Sequence, residues 1–288
     1  MRVSITGTHI CALALALMLA GCASNGNNVE DIHSDILEDG DEASAAIDSD
    51  GEEGEQALYE SAQADLENGR YSSAVDKLET LDARYPFGDR AEQTKLDLIY
   101  AYYQINNWEA ARAAASRFIR LQPDHPEVDY AYYMRGLAAY QAGRFSLERL
   151  RLIDISKRDL GATRDAYSDF RELVERYPDS EYAPDARQRI VYLRNVLAAK
   201  ELHVADFYLR KGAYVAAVER GRYVIEHYPE STETRNALAV MVEGYLGLDM
   251  RDRAREVLET LIENDPDHDQ LRGNTFRPKH VDADPISA

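Results

Sequence analysis

Cys22 is the residue whose type and setting carry the clearest chemistry in this chain. Leu19, Ala20 and Gly21 precede it, and an uncharged run from His9 to Ala20 leads into them. Arg2 supplies a short basic head, the run an apolar centre, and Ala20-Gly21 a small-residue end. Together these make a secretory signal peptide over residues 1–21, removed on export. The run is too short to span a bilayer as a stable helix. Cys11, the only other cysteine, lies inside the leader and leaves with it. The mature chain is then expected to hold no disulfide and no cysteine-bound metal, even in an oxidising compartment.

The order Leu19-Ala20-Gly21-Cys22 resembles a bacterial lipobox. That resemblance implies S-diacylglycerol on Cys22, cleavage that makes Cys22 the new N-terminus, and N-acylation of its amine. One acyl chain anchors marginally, whereas two or three give lasting attachment at ~0.8 kcal/mol per buried methylene. In Gram-negative lipoproteins an aspartate after the cysteine is the usual inner-membrane retention signal. Here Ala23 and Ser24 follow, which implies the periplasmic face of the outer membrane. The lipid on Cys22 is the only cofactor-like group expected.

Elsewhere the reactive residue types do not assemble into a catalytic pattern. The seven histidines are scattered, and no HExxH, GxSxG, Walker-type or GxGxxG sequence occurs. His125, between Pro123 and Pro126, reads as a cap or solvated residue in a turn after a helix. Carboxylates are plentiful, but on helix faces they pair with arginines one turn away. The expectation is a protein that is not an enzyme.

From Ala23 to Gln56 the chain has twelve Asp or Glu, no Lys or Arg and no aromatic residue. Such a stretch buries too little apolar area to offset its ordering entropy, so residues 22–56 read as a disordered, lipidated tether. Asp48, Asp50, Glu52, Glu53 and Glu55 lack the positional pattern of a calcium-binding loop. The tether carries most of the formal charge of −19, and the absence of a basic footprint argues against nucleic acid as a partner. Residues 270–288, with Pro278 and Pro285, lack periodicity and read as a flexible tail.

The folded part, residues 57–269, is organised by a hidden repeat. Five prolines close similar phrases: Pro86, Pro123, Pro178, Pro229 and Pro266, separated by 37, 55, 51 and 37 residues. Twelve residues before each stands an alanine: Ala74, Ala111, Ala166, Ala217 and Ala254. Fifteen before stand Tyr71, Trp108, Tyr214 and Arg251, and seventeen before a turn former, Gly69, Asn106, Gly212 or Asp249. Apolar residues mostly fill five and eight before, as in Leu81 with Leu78 and Phe118 with Ala115. Proline stops a helix and disfavours helical backbone before it, so each phrase is a helix end. The spacing of 55 reflects material inserted between Phe145 and Ala166; the spacing of 51 reflects one extended helix over Ala183–Arg210.

This pattern resembles the tetratricopeptide repeat, whose first helix carries a small residue near its middle, here Ala62, Gly136 and Ala205. The implied fold is all-α: a right-handed α-solenoid of about five helix pairs, two of them with insertions or extended helices. Each pair buries its apolar stripe on the next.

Three phrases are more specific. They are Arg84-Tyr85-Pro86-Phe87-Gly88 with Leu96–Tyr103; Arg117–Leu121 leading through His125-Pro126 to Tyr130 and Tyr133–Gly136; and Ala166–Phe170 leading to Tyr177-Pro178, Tyr182 and Asp185-Ala186. With the lipobox they resemble the BamD (ComL-type) family of outer-membrane assembly lipoproteins, from about Leu58 to Leu261. The resemblance implies a scaffold subunit of the β-barrel assembly machinery, with a BamA-like barrel subunit, other assembly lipoproteins and unfolded outer-membrane proteins as partners. It implies that the N-terminal repeats receive the C-terminal signal strand of the unfolded substrate. Tyr85, Phe87, Tyr100, Tyr102 and Tyr103 are the candidate groove residues, some of which must point into the core. It also implies that Arg220 lies on the face meeting the BamA-like subunit, where a guanidinium can bind a carboxylate with two hydrogen bonds. An exposed helix residue is the plainer reading of Arg220. The alternative function is a tetratricopeptide lipoprotein that binds peptidoglycan or a cell-wall synthase.

Overall fold

The structure, a computed structural model, describes residues 40–148 and 160–288, with side chains described for 54–143 and 160–288. Cys22 and the leader lie outside the described residues, as does the middle of the insertion. Among the described residues ten helices follow in order: α1 (Gly40–Glu67), α2 (Tyr71–Arg84), α3 (Ala91–Gln104), α4 (Trp108–Leu121), α5 (Val128–Glu148), α6 (Gly161–Arg176), α7 (Ala183–Arg210), α8 (Tyr214–His227), α9 (Thr234–Gly247) and α10 (Arg251–Asn264). They form five pairs. Each second helix up to α8 lies against its own first helix and that of the next pair, α10 lies against α9, and first helices also meet, α3 on α5 and α7 on α9.

The proline-anchored offsets become physical positions. All five alanines twelve residues before a proline are fully buried, which lets the two helices of a pair approach closely. The residues five before each proline, Leu81, Phe118, Leu173, Val224 and Leu261, are likewise buried at the following interface. The positions seventeen before are the turns. Gly69, Asn106, Gly212 and Asp249 have φ of 70°, 60°, 72° and 58°, a left-handed conformation that reverses the chain in three residues. Glycine adopts it freely, whereas a Cβ crowds the following carbonyl. Gly212→Ala is therefore expected to destabilise by about 1 kcal/mol, and Asn106→Gly to stabilise slightly. Thermal unfolding of the two variants checks both signs.

The extended helix is present with the expected ends. Pro184 occupies its first turn, where a missing N–H costs nothing. Its N-terminal half supplies Ala186 and Leu193 to the core shared with α5 and α6; its C-terminal half packs on α8.

Two expectations need correction. The acidic segment is not disordered as far as Gln56, because α1 begins at Gly40. The segment's last two residues are held by tertiary contacts: the buried Glu55 carboxylate accepts the Arg90 N–H at 2.9 Å, and Gln56 Oε1 accepts Arg90 Nε at 3.3 Å. The C-terminal tail is not loose either. Strands β1 (Leu271–Arg272), β2 (Thr275–Phe276) and β3 (Ile286–Ser287) form an antiparallel sheet in that order. Leu271, Phe276, Val281 and Ile286, one apolar residue in five, are all buried. That spacing fits neither helix nor strand, and it packs only because turns, one at Gly273 with φ 59°, fold it against α9 and α10.

Candidate functional site

On first helices of the N-terminal pairs, the hydroxyls of Tyr59 and Tyr133 end on acids, and the rings of Tyr130 and Tyr133 each lie beside Tyr182, forming a tyrosine row. On α1, Tyr59 donates its hydroxyl to Asp97 Oδ2 of α3 at 3.1 Å. Gln63 also donates to Oδ2, and Gln93 donates to Oδ1 at 2.9 Å. On α5, Tyr133 stacks on Tyr182 at 4.8 Å with an 18° interplanar angle, and Tyr130 lies 5.8 Å from Tyr182. Tyr133 donates its hydroxyl to Asp185 Oδ2 at 2.8 Å, the same carboxylate that Arg189 Nε reaches at 2.5 Å. Arg189 in turn lies over the Tyr140 ring at 4.7 Å. Helical spacing builds the row: Tyr130 and Tyr133 are three residues apart on α5, and Asp185 and Arg189 are one turn apart on α7.

Burial shapes the electrostatics. It pushes the Tyr59 hydroxyl up to about 12, with the Asp97 charge adding to the effect. Tyr133 and Tyr182 are also raised to about 12, first by burial and then by Asp185 and Glu181 respectively. These phenols stay protonated donors across physiological pH. Burial raises Asp97 above the ordinary carboxylate value against its three hydrogen bonds. At Asp185 burial again acts upward, but the bonds from Arg189 and Tyr133 carry the carboxyl below its ordinary value. The row thus offers apolar ring faces with hydroxyl and carboxylate oxygen acceptors at their tips. Among the described residues no group of three or more His, Cys, Asp or Glu could hold a metal ion.

The sequence-derived candidates do not form one groove. Tyr85 and Tyr102 pack into the cluster between α1, α2 and α3, where Tyr102 donates to Glu79 Oε1 at 2.5 Å. Tyr100 and Tyr103, on the other face of α3, pack against the α4–α5–α6 core. Tyr100 meets Tyr71 edge-on at 6.0 Å, and Tyr103 meets Trp108 at 5.1 Å while accepting from Gln141 Nε2 at 3.0 Å. Phe87 stands apart, 97% exposed in the turn between α2 and α3. Gly88 explains that junction, because a Cβ there would collide with the Glu55 carboxylate that holds Arg90. His125 is a turn cap: its Nδ1 accepts the Glu127 N–H at 3.1 Å, and its ring meets Phe118 at 5.2 Å.

The tyrosine row of α1, α5 and Tyr182 is the feature that the candidate list omits. A spacing signal was available, because Tyr59 and Tyr133 each stand three residues before the small residue of a first helix, Ala62 and Gly136.

In the C-terminal half, Arg220 of α8 donates through Nη1 to Glu201 Oε2 of α7 at 2.7 Å. Glu201 is largely buried, while Arg220 keeps 42% of its side chain exposed. The hydrogen bond to Glu201 raises the Arg220 pKa further. Arg220 is thus both a clip between α7 and α8 and a partly free cation.

Residues 52–261 match the family described as outer membrane lipoprotein, YfiO. The chain is also similar to the outer membrane protein assembly factor BamD of Vibrio cholerae, at 42% identity over 205 residues, covering 70% of this chain and 85% of the relative. BamD of Xylella fastidiosa strain 9a5c is 35% identical over 273 residues, covering 93% and 86%. BamD of Neisseria gonorrhoeae is 37% identical over 260 residues, covering 89% and 92%.

Proposed function

The chain belongs to the YfiO family of outer membrane lipoproteins, and from that premise we propose that it is the lipid-anchored scaffold subunit of the β-barrel assembly machinery. It is an outer membrane protein assembly factor, as its BamD relatives are named, and it acts in association with the outer membrane. In this reading the acyl chains on Cys22 hold it to the periplasmic face. The first-helix face of the N-terminal repeats receives the C-terminal strand of an unfolded barrel protein, and the C-terminal repeats dock on a BamA-like subunit, with other assembly lipoproteins alongside. Its work is positioning, not catalysis.

One observation carries the substrate half of the reading: the tyrosine row from Tyr59 to Tyr182. A strand with alternating aromatics brings apolar rings on one side and unpaired backbone N–H and C=O groups along its edges. Ring faces such as those of Tyr130, Tyr133 and Tyr182 suit the first. The phenol oxygens of Tyr59 and Tyr133 and the Asp97 and Asp185 carboxylates are acceptors for the N–H groups of the second.

Arg220 supplies the test of the docking half. Arg220→Glu would set two carboxylates together at Glu201 and mix docking with stability. Arg220→Gln keeps a donor for Glu201 and removes the charge. It is expected to weaken co-purification of the barrel subunit on the order of tenfold, or about 1.4 kcal/mol, with the melting temperature near wild type. Undiminished co-purification would assign Arg220 solely to clipping α8 onto α7.

A further inference from the structure

The segment after Asn264 lies beyond the family match and does more than close the end of the stack. Leu271, Phe276 and Ile286 bury against α9 and α10 as a cap. Between β2 and β3, however, the chain turns back across the first-helix face and reaches α7. There Glu243 of α9, 2% exposed, collects consecutive backbone amides on Oε1: Lys279 at 2.8 Å, Val281 at 3.0 Å, and His280 between them. Its Oε2 accepts Gln270 Nε2 at 3.0 Å. His280 Nε2 lies 2.5 Å from Asp206 Oδ1 of α7, and Val281 packs with Leu209 and Ala217.

Three features set this contact apart from a permanent core. The grip on Lys279, His280 and Val281 is on the converging backbone N–H groups of a bend, which any peptide that takes the same bend offers whatever its side chains. A pocket of about 290 Å³, open to solvent, lies between α7 and α9 beside Lys279 and His280. Asp206 also accepts from Arg210, so it keeps a partner when His280 leaves. The basic part of the segment faces acid: Asp206, Glu233 and Glu243 line the pocket beside Lys279 and His280, while Asp282 and Asp284 of the same segment are exposed.

We propose that the α7–α9 section of the first-helix face is a second peptide-binding site, occupied in cis by Arg277–Asp284. Its other ligand is a segment of a partner protein that takes the same bend and carries a basic residue followed by a β-branched one, which displaces the tail. A labelled synthetic peptide of residues 277–284 tests this by fluorescence anisotropy with the purified mature chain.

His280→Ala combined with Val281→Ser removes the base and the apolar anchor of the tail in cis. That variant is expected to bind the peptide at least about tenfold more tightly than the unaltered chain, because the cis occupant no longer competes. Helical circular dichroism should not change, and adding Asp206→Asn should reverse the gain. Hydrogen exchange at Lys279–Val281 reports whether the tail has been freed. Freed amides without peptide binding would show a private cap, and amides that stay protected would show a tail that does not exchange; either result overturns the proposal.

Discussion

Replacing Cys22 by alanine is expected to move nearly all of the protein from the membrane fraction to the soluble periplasm. Among the described residues no helix is long and apolar enough to cross a membrane, so attachment in this account rests on the lipid. At ~0.8 kcal/mol per buried methylene, one acyl chain gives a reversible hold and two or three give one that outlasts fractionation. Removing the thiol removes the site of diacylglycerol attachment and, with it, the later acylation of the amine. The folded stack contains no cysteine and should keep its helical content and melting temperature. Fractionation with a soluble periplasmic marker reads the outcome. Retention of the alanine variant on membranes would mean that protein partners alone suffice as the anchor.

Gly136→Val carries the second large effect, this time on the fold. A Cβ on Gly136 would lie 2.8 Å from Cδ1 and Cε1 of Phe170, a ring with no exposed surface at the centre of the core joining α3 through α7. Neither atom has room to yield, because the same core presses Phe170 from Tyr133 at 6.1 Å and Tyr140 at 6.5 Å. Overpacking of this kind costs about 1–3 kcal/mol. For a domain of this size that lowers the melting temperature by roughly 2–12 °C. Phe170→Leu destabilises by itself, yet in the double variant the two changes should add to less than their sum, since the smaller side chain makes room for the new one. Strict additivity would contradict the contact. The consequence reaches function: a displaced Phe170 moves Tyr133 and Tyr140, so Gly136→Val should also weaken binding of an unfolded substrate strand.

These residues also show what could be read in the chain without coordinates. The alanines, turn residues and helix ends follow from offsets to five prolines because each is set within one helix pair by local sterics. Left-handed backbone at Asn106 and Asp249 and the full burial of Ala74 and Ala254 are direct consequences. Composition failed where a distant partner decides. The middle of α1 is held at Glu55 by the Arg90 backbone, and the tail by the Glu243 carboxylate, each more than thirty residues away. The aromatic candidates failed as a group for another reason. Tyr100, Tyr102 and Tyr103 are neighbours in sequence, but a helix sends Tyr102 to one cluster and the other two to another. Repeat offset, which links Tyr59 to Tyr133, is a better guide to a shared face than adjacency.

Depletion of the protein, followed by quantitative mass spectrometry of the outer membrane, tests the central claim most directly. An assembly scaffold predicts a general fall of β-barrel proteins, whatever their individual functions, with the barrel subunit recovered alongside the tagged protein before depletion. Unchanged barrel levels, together with sedimentation of the purified protein with isolated sacculi, would contradict the assembly role and leave a cell-wall lipoprotein in its place.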